Sequence, residues 1–445
     1  MIRGLIQRPL CALLRLFFRR LEVAGREHVP PSGPLIFILN HPNALIDPLI
    51  LLCCTGRPVS FLAKQPLFGM PLIGPVVRAM ESIPVYRRMD QADTAKNAAT
   101  FAAARELLSR GGSLALFPEG TSHSDPRLKP FRTGAARIAL GARVAGLRIV
   151  PAGLFYTEKS RFRSQALLCF GGPVEVPDVA AGIDSEPLSE AVRDLTARLE
   201  QALGNLTLQA DEHAALHLAE AAERIFLSAS DSSRELANRL EIRRRLLDGY
   251  SRLKRSAPDR LTQIVEKVEQ YQADLDAAAL TPELLPTAGY QTGAVLRFTV
   301  RALAVLLVLL PLSLAGVVLH FPTWLAIDLI GRRYRRTNLD MVSTVKLIGG
   351  VVLYPLTWIA LTWVAAARWG GLPALVMLLG LPLSAFAALL FTERLRWLLG
   401  GARGLALSLT GRRRFLRLMA ERTAIRNELL QLAEELGRPP GGGRP

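Results

Sequence analysis

The sequence predicts an α/β domain followed by a helical region and then by C-terminal transmembrane helices. Three observations predict this order. From Pro34 to about Pro177, short apolar runs typical of buried strands alternate with helical patterns. From Pro187 to about Ala279 the chain is polar and has a helical period. After Pro286 it contains apolar segments long enough to cross a bilayer.

The α/β domain is assigned to residues 31–186. Its apolar runs predict six strands: Leu35–Leu39, Val59–Leu62, Ile83–Tyr86, Ser113–Phe117, Arg148–Gly153 and Ala166–Phe170. The helical patterns between them are Leu49–Cys54 with Pro48 at its first position, Ala92–Leu108 and Thr133–Val144. This alternation predicts a mostly buried sheet with helices on its faces.

Residues 1–30 predict an amphipathic helix at a membrane surface. Arg8, Arg15 and Arg19 recur at helical spacing and would share one face, while apolar residues occupy much of the rest. An ordinary amphipathic helix that packs on the domain is the alternative. The segment is not expected to be a cleavable signal, because Arg15 interrupts it and no small-residue cleavage site follows.

Residues 187–290 predict a helical linker region. Five apolar residues with heptad-like spacing favour a helical hairpin or a short coiled coil: Leu261, Ile264, Val268, Tyr271 and Leu275. His213 and His217 are four residues apart but have no third ligand nearby, so no metal site is predicted.

Residues 291–400 predict a membrane region. The segments 347–366 and 372–390 are each close to the ~20 residues that span a bilayer, and a short turn joins them into a transmembrane hairpin. Lys346 flanks one outer end, and Arg394 and Arg396 flank the other, so both outer ends are expected on the cytoplasmic side.

The segment 302–330 is longer than one span, contains prolines and has arginines at both ends. These features favour a re-entrant hairpin that enters and leaves the same face, with a spanning helix as the alternative. Residues 401–445 predict a basic helical tail with a disordered end.

The net charge of +17 narrows the class of partners. Basic residues flank apolar runs, which favours an anionic membrane surface, and no recognition-helix motif supports nucleic-acid binding. The four cysteines Cys11, Cys53, Cys54 and Cys169 contain no C-x-x-C pair. We therefore expect four reduced thiols in a cytosol-facing protein, with neither a zinc site nor a disulfide.

His41 and Asp47 lie in a connection from a predicted strand to a predicted helix, where loops often carry chemistry. A turn would bring the Asp47 carboxylate to one imidazole nitrogen, which would fix the tautomer and stabilise the imidazolium when His41 takes a proton. The structural alternative is that Asp47 caps the helix and that His41 has no catalytic role.

Three further stretches carry polar groups. Ser82–Arg88 ends in Arg87 and Arg88, and a fixed guanidinium suits a phosphate, although a solvated strand end is the alternative. Ile149–Gly153 carries no reactive group and would line an acyl or pantetheine channel. The loop after the fourth predicted strand has side chains that would hydrogen-bond a polyol and backbone amides that would bind an anion. The alternative for Glu119 in this loop is an acidic residue with no role in binding. That loop and the chain after it supply Glu119, Gly120, Thr121, Ser122, Lys129 and Arg132.

Together these stretches resemble the glycerolipid acyltransferase family, which acylates glycerol 3-phosphate or lysophosphatidic acid. The matching residues are His41 with Asp47, Ile83–Arg87, Phe117–Ser122 and Val150–Gly153. Five residues separate His41 from Asp47, where the commoner family spacing is four. The longer spacing, with Asn43 four residues before Asp47, resembles a branch that includes fungal-type enzymes and bacterial relatives with C-terminal membrane segments.

The resemblance implies roles for these residues. His41, oriented by Asp47, would act as general base on a glycerol hydroxyl, and Arg87 would hold the phosphate with Lys129 or Arg132. Asn43, Glu119, Gly120, Thr121 and Ser122 would contribute to substrate binding. Acyl-CoA or acyl-carrier protein would be the co-substrate, with no cofactor, and glycerol 3-phosphate or a lysophospholipid would be the acceptor.

The same resemblance implies a phospholipid membrane as partner, the inner or plasma membrane in a bacterium, with the catalytic domain on the cytoplasmic face. Two alternatives stay open. In the first, the protein is an acyltransferase whose acceptor is another lysophospholipid or a lipid amine. In the second, it is a non-catalytic membrane scaffold that keeps the fold.

Overall fold

The computed structural model describes residues 2–87, 90, 94–177, 186–226, 235–280, 292–335 and 338–437. The chain divides into two units. The first contains residues 1–209 and 334–344, and the second contains residues 210–333 and 345–445.

The first unit is built on a mixed sheet. Its strands are β1 (Arg20–Ala24), β2 (Leu35–Leu39), β3 (Ser60–Lys64), β4 (Ile83–Val85), β5 (Ser113–Leu116), β6 (Arg148–Tyr156), β7 (Gln165–Phe170) and β8 (Val174–Glu175). The strand order is β1-β7-β6-β2-β5-β3-β4, and β8 pairs with β6. The five strands from β6 to β4 are mutually parallel, whereas β7 and β8 run antiparallel to β6.

Helices cover both faces of this sheet, as its apolar strands require. They are α1 (Ile2–Phe17), α2 (Ile46–Cys54), α3 (Ile73–Ala79), α4 (Asn97–Ser109), α5 (Gly134–Ala142) and α6 (Glu186–Gly204). All five residues of β2 are buried. On one face, Ile36 and Ile38 of β2 share a core with side chains of α4, α5 and α6. Elsewhere α2 packs against β7, and α1 packs on α2.

The α/β fold class is confirmed, and two boundaries differ from the expected ones. The sheet begins at Arg20, inside the region 1–30 assigned to a surface helix, because β1 pairs along its whole length with β7. Helix α1 ends at Phe17, so Arg19 lies outside the helix whose face it was expected to share. At the other boundary α6 belongs to the α/β unit, since its Leu195 and Leu199 are buried in the core of the sheet.

The expectation of four reduced thiols is wrong. Cys11 of α1 and Cys53 of α2 form a disulfide, whereas Cys54 and Cys169 are thiols. The packing of α1 on α2 brings together two cysteines that are 42 residues apart, and spacing alone does not reveal such a pair.

The second unit is helical. Its helices are α7 (His213–Phe226), α8 (Leu236–Ser256), α9 (Pro258–Asp276), α10 (Thr292–Arg335), α11 (Val342–Trp369), α12 (Gly371–Thr410) and α13 (Arg412–Gly437). The five heptad-spaced residues of α9 are all buried, as a helix-packing face requires. They contact α13 as well as α7 and α8, so the region is a small helical bundle.

Three stretches of the described chain are long and apolar enough to cross a membrane: Val300–Arg335, Leu339–Trp369 and Gly371–Arg396. The last two correspond to the expected hairpin. The re-entrant hairpin expected over 302–330 is not formed, because α10 continues as one helix with Pro311 and Pro322 inside it. Proline is tolerated in such helices where neighbouring groups satisfy the freed backbone. The disordered end expected in the tail falls on residues 438–445, outside the described chain.

Candidate active site

The candidate residues meet at one edge of the sheet because five neighbouring parallel strands all end there. Tyr156 ends β6, His41 follows β2, Glu119 follows β5, Lys64 ends β3 and Arg87 follows β4. In open α/β sheets this carboxyl edge is where ligands bind. The order of the strands therefore assembles a site from residues that are far apart in the chain.

The histidine loop, residues 40–47, is fixed at both ends. The Asn40 side chain donates to Leu154 O at 3.1 Å and accepts from Leu154 N at 2.7 Å, which ties the start of the loop to β6. At the other end a turn closes where Ile46 N donates to Asn43 O at 2.9 Å. Ala44 in this turn has a φ of +26°, which few L-residues adopt. The turn accommodates the extra residue between histidine and aspartate.

The expected contact between His41 and Asp47 is present. His41 Nδ1 donates to Asp47 Oδ2 at 2.8 Å, and the Asp47 side chain is fully buried. The backbone N–H of Asn43 donates to the same oxygen at 2.7 Å, and the Tyr156 hydroxyl donates to Oδ1. The His41 ring stacks on Phe117 with ring centroids 3.8 Å apart. Orientation by Asp47 leaves Nε2 as the nitrogen that would exchange a proton.

The electrostatics of this pair follow from burial and donors. The two oxygens of the buried Asp47 carboxylate accept hydrogen bonds from three donors, as buried polar groups require. Burial raises the pKa of Tyr156 well above its usual value, and the negative charge of Asp47 and the hydrogen bond to it act in the same direction. Tyr156 is therefore a neutral donor to Asp47 at physiological pH.

The second loop, residues 117–124, is organised by Glu119. Its Oε1 accepts from His41 N at 3.2 Å, and its Oε2 accepts from Lys129 N at 2.8 Å and from His123 Nε2. The Glu119 side chain is fully buried. These bonds tie the second loop to the histidine loop, a positioning arrangement that the sequence did not indicate.

Gly120 in the second loop has a φ of +75°, a conformation that favours glycine. A Cβ there would approach Arg132 Nε to 2.6 Å, so the Arg132 side chain would have to move. Thr121 Oγ1 donates to Ser122 O at 3.3 Å, and the Ser122 hydroxyl donates to Asp340. Asn43, which was predicted to bind substrate, donates from Nδ2 to Lys159 O at 3.1 Å and is buried.

The predicted phosphate ligands have defined partners. Arg87 donates to Gly120 O at 2.7 Å and makes two bonds to Asp90, at 2.6 and 2.9 Å. The bond with Arg87 lowers the pKa of Asp90. These contacts use three of the five N–H groups of the guanidinium. Lys129 Nζ lies 3.2 Å from Asp125, and Arg132 is exposed beside Gly120.

The predicted site residues did not include Tyr156, Lys64 and Lys159, which also lie at this edge. Tyr156 lies beyond the expected end of its strand, which was placed at Gly153. Lys64 pairs in register with Val85 and is a further positive charge near Asp90. Lys159 donates to Ser124 Oγ at 2.5 Å. Extending the strand patterns to their last residues would have found Tyr156 and Lys64; Lys159 has no sequence signal.

Two family models match this chain. The acyltransferase model matches residues 20–154, which contain the histidine loop, the second loop and Arg87. The model of the C-terminal domain of glycerol-3-phosphate acyltransferase 2 matches residues 218–439, which contain most of the second unit.

Three relatives illustrate the similarity. An uncharacterized acyltransferase of Schizosaccharomyces pombe is 25% identical over 78% of this chain and 64% of its own length. Glycerol-3-phosphate O-acyltransferase 2 of Saccharomyces cerevisiae is 28% identical over 60% of this chain and 38% of its own length. The chloroplastic 1-acyl-sn-glycerol-3-phosphate acyltransferase BAT2 of Brassica napus is 34% identical over 32% of this chain and 39% of its own length.

The chain thus spans less than two thirds of the length of each of these relatives. The two matched models lie in the same order as the two units and include the His41–Asp47 pair. The chain belongs to the glycerolipid acyltransferase family.

Proposed function

We propose that this protein is a membrane-bound acyltransferase that transfers a fatty acyl group from an acyl thioester to a hydroxyl of glycerol 3-phosphate or lysophosphatidic acid. The observation that carries the proposal is the 2.8 Å contact between His41 and a fully buried Asp47 with three hydrogen-bond donors. This arrangement holds an imidazole in one tautomer at the edge of the sheet where ligands bind.

In the proposed reaction His41 Nε2 takes the proton of the glycerol hydroxyl as its oxygen attacks the thioester carbonyl. Asp47 stabilises the imidazolium that forms. When the tetrahedral intermediate collapses, the carbon–sulfur bond breaks and the imidazolium returns the proton to the leaving thiolate. The hydroxyl attacks directly, so no acyl-enzyme is required.

The acceptor phosphate would bind among the positive charges at the same edge of the sheet. Arg87 keeps N–H groups beyond those used by Gly120 and Asp90, and Arg132 lies exposed beside the second loop. Lys64 adds positive charge near Asp90, the partner of Arg87. The name of the yeast relative favours glycerol 3-phosphate as acceptor, and that of the plant relative favours its 1-acyl derivative.

The donor would be acyl-CoA or acyl-carrier protein, both of which present a thioester on a pantetheine arm. We place the catalytic unit on the cytoplasmic face of the membrane, where the basic residues at the outer ends of α11 and α12 are expected. The three membrane-length helices support attachment to a bilayer.

The test is acyl transfer by the purified full chain in nanodiscs, with both acceptors combined with both donors. We expect His41→Ala and Asp47→Asn to lower the rate of acyl transfer by about 100-fold or more, because general-base catalysis contributes about that much. His217→Ala is the matched control, since His217 is exposed on α7 in the other unit.

Wild-type rates retained by His41→Ala would exclude the general-base mechanism. If the wild-type chain transfers acyl groups to none of the four substrate pairs, the enzymatic proposal itself is wrong, and a scaffold role replaces it.

A further inference from the structure

Residues 338–344, here called the connecting segment, follow α10, include the first three residues of α11 and belong to the same unit as the sheet. The segment lies inside the region matched by the C-terminal family model, far outside residues 20–154 of the acyltransferase model. Ser343 and Thr344 are buried. Its side chains therefore pack into the catalytic unit.

The connecting segment is bonded to the histidine loop. Thr344 Oγ1 accepts from Leu45 N at 3.1 Å. The Ser343 hydroxyl donates to Lys159 O, which also accepts from the Asn43 side chain. One carbonyl thus joins the segment to the loop that holds His41 and Asp47.

The same segment is bonded to the second loop. The Ser122 hydroxyl donates to Asp340 Oδ2. Lys159 reaches both loops, since its Nζ donates to Ser124 Oγ at 2.5 Å and lies 3.5 Å from Pro42 O. Burial lowers the pKa of Lys159, and the nearby carboxylates of Asp340, Asp47 and Asp125 oppose that change. Asp340 is thus both a partner of Ser122 and a counter-charge for the half-buried Lys159.

We propose that Asp340 is a substrate-positioning residue of the acyltransferase site, supplied by the chain between two membrane helices. Its hydrogen bond to Ser122 fixes the position of the second loop relative to the histidine loop. An acceptor whose phosphate is bound beside the second loop, by Arg87 and Arg132, then presents its hydroxyl to His41. The inference builds on the proposed function and extends the site to the C-terminal region.

The first test uses activity. We expect Asp340→Leu to raise the KM for the acceptor about tenfold while the KM for the donor stays within about twofold. Asp340→Asn keeps an oxygen that accepts from Ser122, so it should restore most of the acceptor affinity. Asp248→Leu, on the exposed face of α8, is the matched control.

A double-mutant cycle separates positioning from general destabilisation. If Asp340 acts through Ser122, Ser122→Ala combined with Asp340→Leu should be no worse than the poorer single variant. Effects that multiply, or equal losses in the KM for donor and acceptor, would overturn the inference.

A second test does not depend on activity. Ser122→Cys together with Asp340→Cys should be joined by a short bifunctional thiol reagent in the folded chain. Ser109→Cys together with Asp340→Cys should not be joined, because Ser109 ends α4 at the opposite edge of the sheet. Absence of the Ser122–Asp340 cross-link would overturn the inference. Its presence in a chain without acyl transfer would instead count against the proposed function alone.

Discussion

Tyr156 gives the buried Asp47 carboxylate a donor from outside the histidine loop. The other two donors, His41 Nδ1 and Asn43 N, move with the loop itself. Because Tyr156 is the last residue of β6, its hydrogen bond anchors the Asp47 side chain to the sheet. Its ring also lies 5.8 Å from the ring of Phe18, which connects the pair to the end of α1.

We expect Tyr156→Phe to lower kcat by about tenfold, equivalent to about 1.4 kcal/mol in the activation barrier. The reason is that one oxygen of a buried carboxylate loses its donor, so Asp47 no longer holds the His41 ring in a single orientation. The same loss should lower the free energy of unfolding by about 1–3 kcal/mol. Steady-state kinetics at saturating acceptor and thermal unfolding measure the two effects.

Tyr250→Phe provides the control for this variant. The Tyr250 hydroxyl also donates to a carboxylate, that of Glu212, but on the helical unit. An unchanged kcat in Tyr156→Phe, or an equal loss in Tyr250→Phe, would show that the donor to Asp47 does not orient His41.

The sequence predicted the contact between two residues of one loop, but it did not predict the hydrogen bonds that join different strands and loops at the site. The contact between His41 and Asp47 was predicted because both residues lie in one loop, six positions apart. The bond from Tyr156 to Asp47 spans 109 positions and depends on β6 lying beside β2. The bond from His41 N to the buried Glu119 depends in the same way on β5 lying on the other side of β2.

Among the elements, β2 was predicted with its observed limits, Leu35–Leu39, because an unbroken apolar run marks a strand buried on both faces. Strand β1 was missed although Arg20 and Glu22 alternate with apolar residues as in a half-buried strand, because the segment directly follows a helical pattern. The longer spacing between His41 and Asp47 did not disturb their contact, since the turn at Ala44 takes up the extra residue.

The disulfide between α1 and α2 predicts how the cysteines will react with alkylating reagents. We expect digestion of the alkylated but unreduced protein to release one linked peptide pair containing Cys11 and Cys53. In the folded chain Cys54 should resist alkylation at pH 8, because burial raises the pKa of its thiol to about 11 and the reactive thiolate is scarce. Alkylation of Cys54 should accelerate as the pH approaches 11.

Peptide mass spectrometry with and without reductant provides the measurement, and Cys54→Ser identifies the signal from Cys54. Full alkylation of Cys11 and Cys53 in unreduced protein would contradict the pairing and restore the expectation of reduced thiols.

In the whole molecule, the connecting segment links α11 to the unit that carries His41. Because residues 338–344 belong to the unit that carries His41, we expect α11 to begin on the same side of the bilayer as the histidine loop. Helix α11 has 28 residues and is about 42 Å long, enough to cross the hydrocarbon layer. The Gly370 turn between α11 and α12 should therefore lie on the opposite side.

We expect Trp369→Cys to react with a membrane-impermeant maleimide added outside intact cells, because Trp369 is exposed at the turn between the two helices. Ser109→Cys, at the exposed end of α4 in the catalytic unit, should react only after the membrane is opened. The wild-type chain provides the background from natural cysteines. Labelling of both positions from the same side would mean that α11 does not cross the bilayer, and the catalytic unit would then have to be attached to the membrane by a different arrangement of these helices.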